Sequence, residues 1–331
     1  MSDSPILVTG AAGFIGFHTS LRLLNAGKSV VGIDNLNDYY DVTLKQARIA
    51  ELEKFENFKF KKMNIEDKAA MENLWSTLGP FKRVVHLAAQ AGVRYSIENP
   101  YAYINSNCMG HLTVLEMCRH TEGFEHLVYA SSSSVYGGNE KLPYSVHDSV
   151  DQPISLYAAT KRSNELMSHS YAHLYNIPQT GMRFFTVYGP WGRPDMALFI
   201  FTKAICEGRK VPIFNNGEMK RDFTYVDDII SGVLAALDNP PAREGVKPPC
   251  RILNIGNTRS ESLMDYLRII ENEIGKKADI EYLPMQAGDI PETFADIEET
   301  TKLTGFKPTT TIAEGVPKFV NWYKDFYKVA S

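Results

Sequence analysis

Two side chains with complementary acid–base chemistry, Tyr157 and Lys161, stand four residues apart in Ser155-Leu156-Tyr157-Ala158-Ala159-Thr160-Lys161. That spacing places both on one face of a helix. A free tyrosine hydroxyl has a pKa near ~10, and a nearby ammonium favours its ionised form. A phenolate poised closer to neutral pH can take the proton of a hydroxyl group as a hydride leaves. Alone, such a pair is also typical of a solvated helix face, so the surrounding motifs decide its meaning.

A serine run precedes this pair, in the segment from Tyr129 to Gly137. It closes the fifth predicted strand, at the sheet edge where ligands bind in parallel α/β folds. A hydroxyl at Ser132 can hydrogen-bond the reacting oxygen and share its proton with Tyr157. Some of the four serines are equally explained by local bonds between side chain and backbone.

The glycine-rich run from Gly10 to Gly16 follows the first predicted strand and opens a helix. Glycines at 10, 13 and 16 allow a tight turn and let backbone N–H groups approach a pyrophosphate. The second strand ends at Asp34, 18 residues beyond Gly16. A carboxylate there accepts from both ribose hydroxyls and repels a 2′-phosphate, which favours NAD over NADP.

Apolar runs and helical periodicity alternate through the first half of the chain, which predicts a Rossmann-type, doubly wound parallel α/β sheet. The predicted strands are Pro5–Thr9, Ser29–Ile33, Phe58–Met63, Arg83–Leu87 and His126–Ala130. The predicted helices are Phe14–Ala26, Thr43–Leu52, Asp67–Leu78 and Tyr101–His120. After residue 180 proline and glycine become frequent, so we expect an NAD-binding domain over 1–180. We expect residues 181–331 to form mainly a smaller C-terminal α/β substrate lobe, with the chain crossing back between the two.

Composition excludes several classes of function for this 331-residue chain. A net charge of −4 gives no electrostatic footprint for nucleic acid or an anionic membrane. The four cysteines are scattered without metal-ligand spacing, so no metal site is expected and reduced thiols in a cytoplasmic location are favoured. No apolar run approaches the ~18 residues that a bilayer span needs.

These motifs together resemble the extended short-chain dehydrogenase/reductase family of NAD-dependent epimerases and dehydratases, and the resemblance covers nearly the whole chain. It rests on Thr9–Gly16, His86-Leu87-Ala88-Ala89, the serine segment, Tyr157-x-x-x-Lys161 and Arg221-Asp222-Phe223. The runs 34–41, 184–197 and 288–291 are similar to those of UDP-glucuronate 4-epimerases. The resemblance implies NAD, a UDP-sugar substrate, 4-epimerisation through a 4-keto intermediate, and a homodimer joined by a four-helix bundle around 101–120 and 157–175.

Carried over residue by residue, the resemblance makes Tyr157, Lys161 and Ser132 catalytic. It implies a cofactor-binding set that includes the catalytic pair: Gly10, Gly13, Phe14, Ile15, Gly16, Asp34, Asn35, Asn64, Ile65, Ala88, Tyr157 and Lys161. The chain departs from the family pattern at Asn64. After the third strand, relatives often carry an acidic residue, a hydrophobic residue, any residue and then Asp, whereas this chain has Asn64-Ile65-Glu66-Asp67. The Asn64 amide oxygen still accepts a hydrogen bond from an adenine amino group.

The expected substrate-binding residues are Arg94, Ser132, Ser133, Thr186, Arg193, Val211, Phe214, Arg221 and Asp289. We assign Arg193 to the uronate carboxylate, since a planar guanidinium fixes orientation, with the Thr186 hydroxyl beside it. Arg221 matches the family's phosphate-binding arginine. Simpler alternatives remain for each: loop packing for Thr186 and Arg193, and a surface ion pair for Arg221.

Three other functions compete with 4-epimerisation of UDP-glucuronate to UDP-galacturonate. A UDP-glucose/UDP-galactose 4-epimerase is opposed by Arg193. A lyase, meaning a UDP-glucuronate decarboxylase or a dehydratase, is opposed by Ser133 and Ser134, which stand where such relatives usually carry Glu or Asp-Glu. A catalytically inactive NAD sensor is opposed by the intact Ser132, Tyr157 and Lys161.

Overall fold

A parallel sheet forms the centre of the protein in the computed structural model, which describes residues 4–286 and 288–329. The predicted domain limits at residues 1 and 331 lie outside these residues. Seven strands from the described part of the chain join the sheet. They are β1 (Ile6–Thr9), β2 (Val30–Asp34), β3 (Phe58–Lys62), β4 (Arg83–His86), β5 (His126–Ser132), β6 (Gln179–Phe184) and Cys250–Ile255.

Burial explains why these segments are strands. β1 and β2 are buried at every position, as expected for parallel strands covered on both faces by helices. β3 lies at the sheet edge and exposes Lys59, Lys61 and Lys62, and such charges protect an edge from pairing with another chain. The five predicted strands are confirmed to within two residues at each end, with β5 running on to Ser132. The Rossmann-type fold is therefore confirmed.

Helices connect the strands of the first half: α1 (Phe14–Asn25), α2 (Val42–Leu52), α3 (Lys68–Leu78), α4 (Tyr95–Glu98), α5 (Pro100–Tyr103), α6 (Gly110–Arg119) and α7 (Leu156–Tyr175). A local signal sets the start of α7. The Ser155 hydroxyl accepts from the backbone N–H of Ala158 at 3.1 Å, which satisfies one of the free donors of the first turn. Tyr157 is thereby held in that first turn.

The expectation of one helix over Tyr101–His120 is wrong in detail. A π-helical turn, Ile104–Met109, separates α5 from α6. Its buried Asn107 accepts from the backbone N–H of Gln90 at 2.8 Å and donates to the Thr160 hydroxyl at 3.0 Å. π-Helical turns are rare and often occur at functional sites. This turn ties the helix both to the loop after β4 and to α7.

The C-terminal half contributes shorter strands: β7 (Thr186–Tyr188), β8 (Val211–Phe214), β9 (Lys220–Arg221), β10 (Phe223–Tyr225), β11 (Cys250–Ile255), β12 (Glu261–Ser262), β13 (Ile280–Leu283) and β14 (Glu292–Thr293). Its helices are α8 (Ala197–Cys206), α9 (Val226–Leu237), α10 (Leu263–Ile274), α11 (Glu298–Thr304) and α12 (Ile312–Tyr327). β7 pairs with β10, β8 with β13, and β9 with both β12 and β14. Residues of β8, β9, β10 and β14 line one cavity together with Ser132 and Phe184, which end β5 and β6.

The chain returns to the central sheet after β10. α9 packs against α1, and β11 pairs in parallel with β6, so that Cys250 faces Gln179 and Ile255 faces Phe184. The predicted limit at residue 180 falls inside β6. Of the helices in 4–286 and 288–329, none combines the length and the apolar character that crossing a membrane requires.

A buried ion pair links α7 to the sheet. Arg183 on β6 donates to both oxygens of Glu165 at 2.8 and 2.9 Å, and both side chains are almost fully buried. The Ser131 hydroxyl donates to the same carboxylate at 2.6 Å. Burial alone would raise the pKa of Glu165, but Arg183 holds it below its usual value.

Replacing Arg183 with Met should lower the free energy of unfolding by about 3–5 kcal/mol, because Glu165 would remain buried without its main partner. The matched control is Arg162→Met, which removes a second, partly exposed guanidinium from the same carboxylate. Its expected cost is about 0–1 kcal/mol. Urea denaturation of both variants measures the difference, and equal costs would contradict this account of the pair.

Candidate active site

The connection from β1 into the first turn of α1 has no room for a side chain at Gly10 or at Gly16. Gly10 has a φ of +72°, and a Cβ there would lie 2.8 Å from the backbone nitrogen of Ala88. A Cβ on Gly16 would lie 2.0 Å from the carbonyl oxygen of Gly10. Among the described residues, no side chain caps the first turn of α1, and that turn contains no acidic residue. Its N–H groups are therefore compatible with the predicted anion site.

Asp34 ends β2 beside this loop. Its carboxylate accepts from the backbone N–H of Leu36 at 2.8 Å and of Ala12 at 3.2 Å. Burial raises the pKa of Asp34, while Lys45 and those N–H groups act in the opposite direction. A cavity of about 240 Å³ opens next to the carboxylate. In this position the carboxylate can accept hydrogen bonds from two neighbouring hydroxyls of a bound molecule.

This cavity, which we call the glycine-loop cavity, collects almost the whole predicted cofactor set. Its lining includes Gly10, Gly13, Phe14, Ile15, Gly16, Asp34, Asn35, Ile65, Ala88, Tyr157 and Lys161. Asn64 is the exception, since its exposed side chain is not part of the lining, whereas Met63, Ile65 and Glu66 are. The roles of these residues stay predictions, but their convergence on one cavity is a finding.

Tyr157 and Lys161 lie side by side on α7, yet they do not interact as the sequence suggested. The Lys161 ammonium donates to the carbonyl oxygen of Ala130 at 2.9 Å. Burial lowers the pKa of Lys161 to about 8. Burial also raises the pKa of Tyr157, while a hydrogen bond with Ser132 and the charge of Arg193 lower it. In this structure desolvation therefore outweighs any help that the phenolate receives, and that help comes from Ser132 and Arg193.

The serines after β5 separate into different environments. Ser131 is buried against Glu165, and Ser132 is buried at the strand end beside Tyr157. The Ser132 hydroxyl accepts from the backbone N–H of Ser134 at 3.2 Å. Ser133 and Ser134 are partly exposed and line a second cavity. Both readings of the run therefore hold, since local bonds coexist with hydroxyls that face the site.

The second cavity, the arginine cavity, has a volume of about 620 Å³ and lies between the sheet and the C-terminal lobe. The predicted substrate residues in its lining are Arg94, Ser132, Ser133, Thr186, Arg193, Phe214, Arg221 and Asp289. Val211 is the exception. Its side chain is fully buried in the core, because alternate residues of β8 face opposite sides, and Pro212 and Phe214 line the cavity instead.

Two arginines in the lining of the arginine cavity are each bound to an aspartate. Arg94 donates to Asp289 at 3.1 Å and lies over the ring of Phe214. Arg193 forms a two-pronged pair with Asp195, with its Nε 3.0 Å from one carboxylate oxygen. Asp195 raises the pKa of Arg193 even though burial opposes the charge. The guanidinium is thus charged and aligned in the free protein.

Sequence reasoning missed Tyr39 and Asp195. The Tyr39 hydroxyl donates to Asp195 at 3.1 Å, which joins the loop after β2 to the segment that carries Arg193. Both residues stand inside sequence runs that were already singled out, 34–41 and 184–197. The signal for Asp195 was its position two residues after Arg193, where a short-range ion pair is available.

The two cavities meet at a short set of shared lining residues: Tyr39, Ser132, Tyr157, Phe184, Phe185, Arg193 and Met196. The phenol of Tyr157 therefore faces both spaces. A molecule in the arginine cavity can place a hydroxyl against Tyr157 and Ser132, next to whatever occupies the glycine-loop cavity.

Known proteins share this arrangement of sequence and fold. The family described as the NAD dependent epimerase/dehydratase family matches residues 6–256. The probable UDP-glucuronate 4-epimerase of Rhizobium meliloti (strain 1021) is 47% identical over 98% of each chain. UDP-glucuronate 4-epimerase 4 of Arabidopsis thaliana is 47% identical, with 97% of this chain and 76% of the plant protein covered. Among solved structures, UDP-glucuronic acid 4-epimerase from Bacillus cereus in complex with UDP-glucuronic acid and NAD is similar, with a TM-score of 0.88 and 35% identity over 98% of this chain and 100% of that one.

Lys161→Met should stabilise the nucleotide-free protein while removing a site residue. Below about pH 8 the ammonium is protonated both folded and unfolded, and its burial opposes folding. From there to the ordinary value of 10.5 the folded protein releases the proton first, so this penalty falls as the pH rises. We expect a gain in unfolding free energy of up to about 3 kcal/mol at pH 7, shrinking between pH 8 and 10.5.

Urea denaturation at a series of pH values measures this gain. Lys54→Met, at a well-exposed lysine, is the control and should change stability little at any pH. A gain from Lys161→Met that stays constant up to pH 10.5 would show that the buried charge is not its source.

Proposed function

The chain belongs to the NAD-dependent epimerase/dehydratase family, and from that premise we propose that it converts UDP-glucuronate to UDP-galacturonate by 4-epimerisation, retaining the carboxylate and using NAD. One observation carries the proposal. Tyr157 faces both cavities, and on the substrate side it is accompanied by the charged Arg193 and by hydroxyls rather than acids at 133 and 134. We assign the N-terminal part of the chain to the cofactor, and 181–331 mainly to the UDP-sugar.

The residues of the glycine-loop cavity fit NAD. A ligand can approach the backbone at Gly10 and Gly16 only because these residues have no Cβ. The N–H groups of the first turn of α1 suit a pyrophosphate. The Asp34 carboxylate suits the two ribose hydroxyls and disfavours a 2′-phosphate. When bound, NAD supplies the hydride acceptor for the substrate carbon and returns the hydride.

Tyr157 is the group that takes the proton of the sugar 4-hydroxyl and later gives it back. Ser132 and Arg193 favour the phenolate against the effect of burial. Ser132 also holds the reacting oxygen beside the phenol. Lys161, fixed to the carbonyl of Ala130, presents a cation on the cofactor side of the same helix turn. Between the two hydride transfers the 4-keto sugar turns about its link to the diphosphate.

Retention of the carboxylate needs orientation. Once C4 is a ketone, the carboxylate is β to it and is lost as carbon dioxide if its bond to C5 aligns with the carbonyl π system. We assign Arg193 to holding it, with Thr186 and Ser133 in the same cavity. Asp195 is ionised by its pairing with Arg193, and its pKa lies below the usual value although burial opposes this. It is therefore unsuited to act as the acid that a dehydratase needs.

Incubation of the purified protein with UDP-glucuronate should give UDP-galacturonate, resolved by chromatography, and Tyr157→Phe should abolish turnover. Arg193→Ala should raise KM for UDP-glucuronate by roughly 30–100-fold, as loss of a two-pronged charged hydrogen bond implies. Its affinity for UDP, which has no carboxylate, should change little.

Arg221→Ala is the matched control for Arg193. Because Arg221 is the proposed pyrophosphate contact, its loss should weaken the binding of UDP and the binding of UDP-glucuronate by equal factors. UDP-pentose as the main product of the natural protein would support the decarboxylase instead. Turnover confined to UDP-glucose would support the neutral-sugar epimerase. If no UDP-sugar is turned over, the catalytically inactive NAD sensor is the remaining alternative.

We further propose a cytoplasmic homodimer joined through α5 to α7. Its support is a set of exposed apolar side chains on these helices and the turn between them: Tyr101, Ile104, Met109, Leu166 and Leu174. Light scattering should give twice the chain mass of 37.2 kDa. Leu166→Glu should shift the protein towards the monomer, whereas Leu303→Glu on α11 should not. A monomeric natural protein would refute this part of the proposal.

A further inference from the structure

Arg48 on α2 is a fully buried arginine that the proposed chemistry leaves unexplained. Across residues 4–286 and 288–329 it forms no salt bridge, although buried charges are ordinarily paired. Its Nη1 donates to the carbonyl oxygen of Ala12 at 2.7 Å and to the Tyr40 hydroxyl at 2.9 Å. A charge held this way is costly, so its position in the fold calls for a reason.

The other nitrogen of the guanidinium reaches the C-terminal lobe. Nη2 donates to the carbonyl oxygens of Trp191 at 2.6 Å and Gly192 at 3.3 Å, immediately before Arg193. On the opposite side, Ala12 belongs to the glycine loop, and its N–H donates to Asp34. One side chain thus bridges the glycine loop and the turn that carries the proposed carboxylate anchor.

That turn is strained and needs outside support. Trp191 has a φ of +61°, a conformation that bulky side chains rarely adopt. The preceding carbonyl, of Pro190, accepts from the imidazole of His18 at 2.9 Å. Burial lowers the pKa of His18 to about 4, so near pH 7 the ring is neutral. Three consecutive carbonyls, of residues 190 to 192, are therefore held by side chains of α1 and α2.

We infer that Arg48 is a positioning residue that fixes the orientation of Arg193, and through it the selectivity for a uronate and the retention of its carboxylate. The inference rests on the proposed function. A planar guanidinium can donate to the glycine loop and to two neighbouring carbonyls at once, whereas a lysine ammonium at the end of a flexible stem cannot hold the same geometry. The bridge also ties Arg193 to the loop that receives the cofactor.

Arg48→Lys in the NAD-loaded enzyme tests the inference, because it keeps the charge and removes the planar fork. KM for UDP-glucuronate should rise about tenfold, as small displacements of a positioning group commonly cause, while the Kd for UDP stays within about twofold. The 4-keto uronate should also lose carbon dioxide more often. In that step the C5–C6 bond breaks, its electrons pass to the ketone as an enolate, and C5 takes up a proton, which gives a UDP-4-keto-pentose.

Arg83→Lys is the matched control. Arg83 also donates to a backbone carbonyl of another element, that of Leu237 at 2.8 Å, but it lies at the start of β4, away from the site. It should lower the melting temperature without changing KM or the product ratio. If Arg48→Lys does likewise, or weakens UDP and UDP-glucuronate equally, Arg48 has only a structural role and the inference is overturned.

His18→Leu keeps the inference testable if Arg48→Lys does not fold. It removes the bond to Pro190 and retains an apolar side chain, so it should shift the same KM-to-Kd ratio in the same direction by a smaller factor. An unchanged ratio would overturn the inference. If the natural protein forms no UDP-galacturonate, the proposed function is refuted. Failure of the proposed function is therefore measured on the natural protein, and failure of the inference about Arg48 is measured on the variants.

Discussion

Helix α7 is fixed against the end of strand β5 by contacts that repeat every four residues, and the active site depends on that fit. Lys161 bonds the carbonyl of Ala130, Glu165 accepts from Ser131, and Tyr157 faces Ser132. Positions 157, 161 and 165 therefore contact three consecutive strand residues, although not in sequence order, since Tyr157 meets Ser132, Lys161 the backbone of Ala130, and Glu165 meets Ser131. Because a strand turns alternate side chains to opposite faces, Ser131 points towards the buried Glu165, whereas Ser132 faces Tyr157.

The buried pair of Glu165 and Arg183 anchors this fit. It holds β6 to the same helix and so fixes how far α7 can slide along the sheet. Within the part of the chain that the structure describes, Lys161 is held one helical turn away by the carbonyl of Ala130 and by no carboxylate.

Sequence patterns predicted the sheet well because strands buried on both faces leave an unambiguous apolar signal. They also located the glycine loop, Asp34, Tyr157 and Lys161, whose chemistry depends on spacing along one element. They failed where the outcome depends on contacts between distant segments. The break at Ile104–Met109 follows from bonds of Asn107 to Gln90 and Thr160, and the high pKa of Tyr157 follows from burial that no local pattern records.

The substrate side shows the same limit. Arg193 was predicted as the carboxylate anchor and Arg94 as a substrate-binding residue, and neither prediction included the aspartate that each arginine holds in the folded protein. Val211 and Phe214 were chosen from one strand, and only the residue on the outward face of β8 reaches the cavity. Which face of a short strand lines a cavity depends on which elements cover the other face, such as α8 against β8, and a four-residue segment is too short to show that by periodicity.

The return of the chain at β11 has a consequence for how such enzymes can diversify. β6 and β11 are adjacent in the sheet, and residues 185–249 leave from one and come back at the other. The segment that supplies much of the lining of the arginine cavity is thus an insertion between neighbouring strands rather than a module appended to a finished domain. To exchange this segment between two relatives, recombination would need two crossover points, one in β6 and one in β11. The rest of the sheet would then come from a single parent. A single crossover near residue 180 would separate hydrogen-bonded neighbours and mix two unrelated packing solutions.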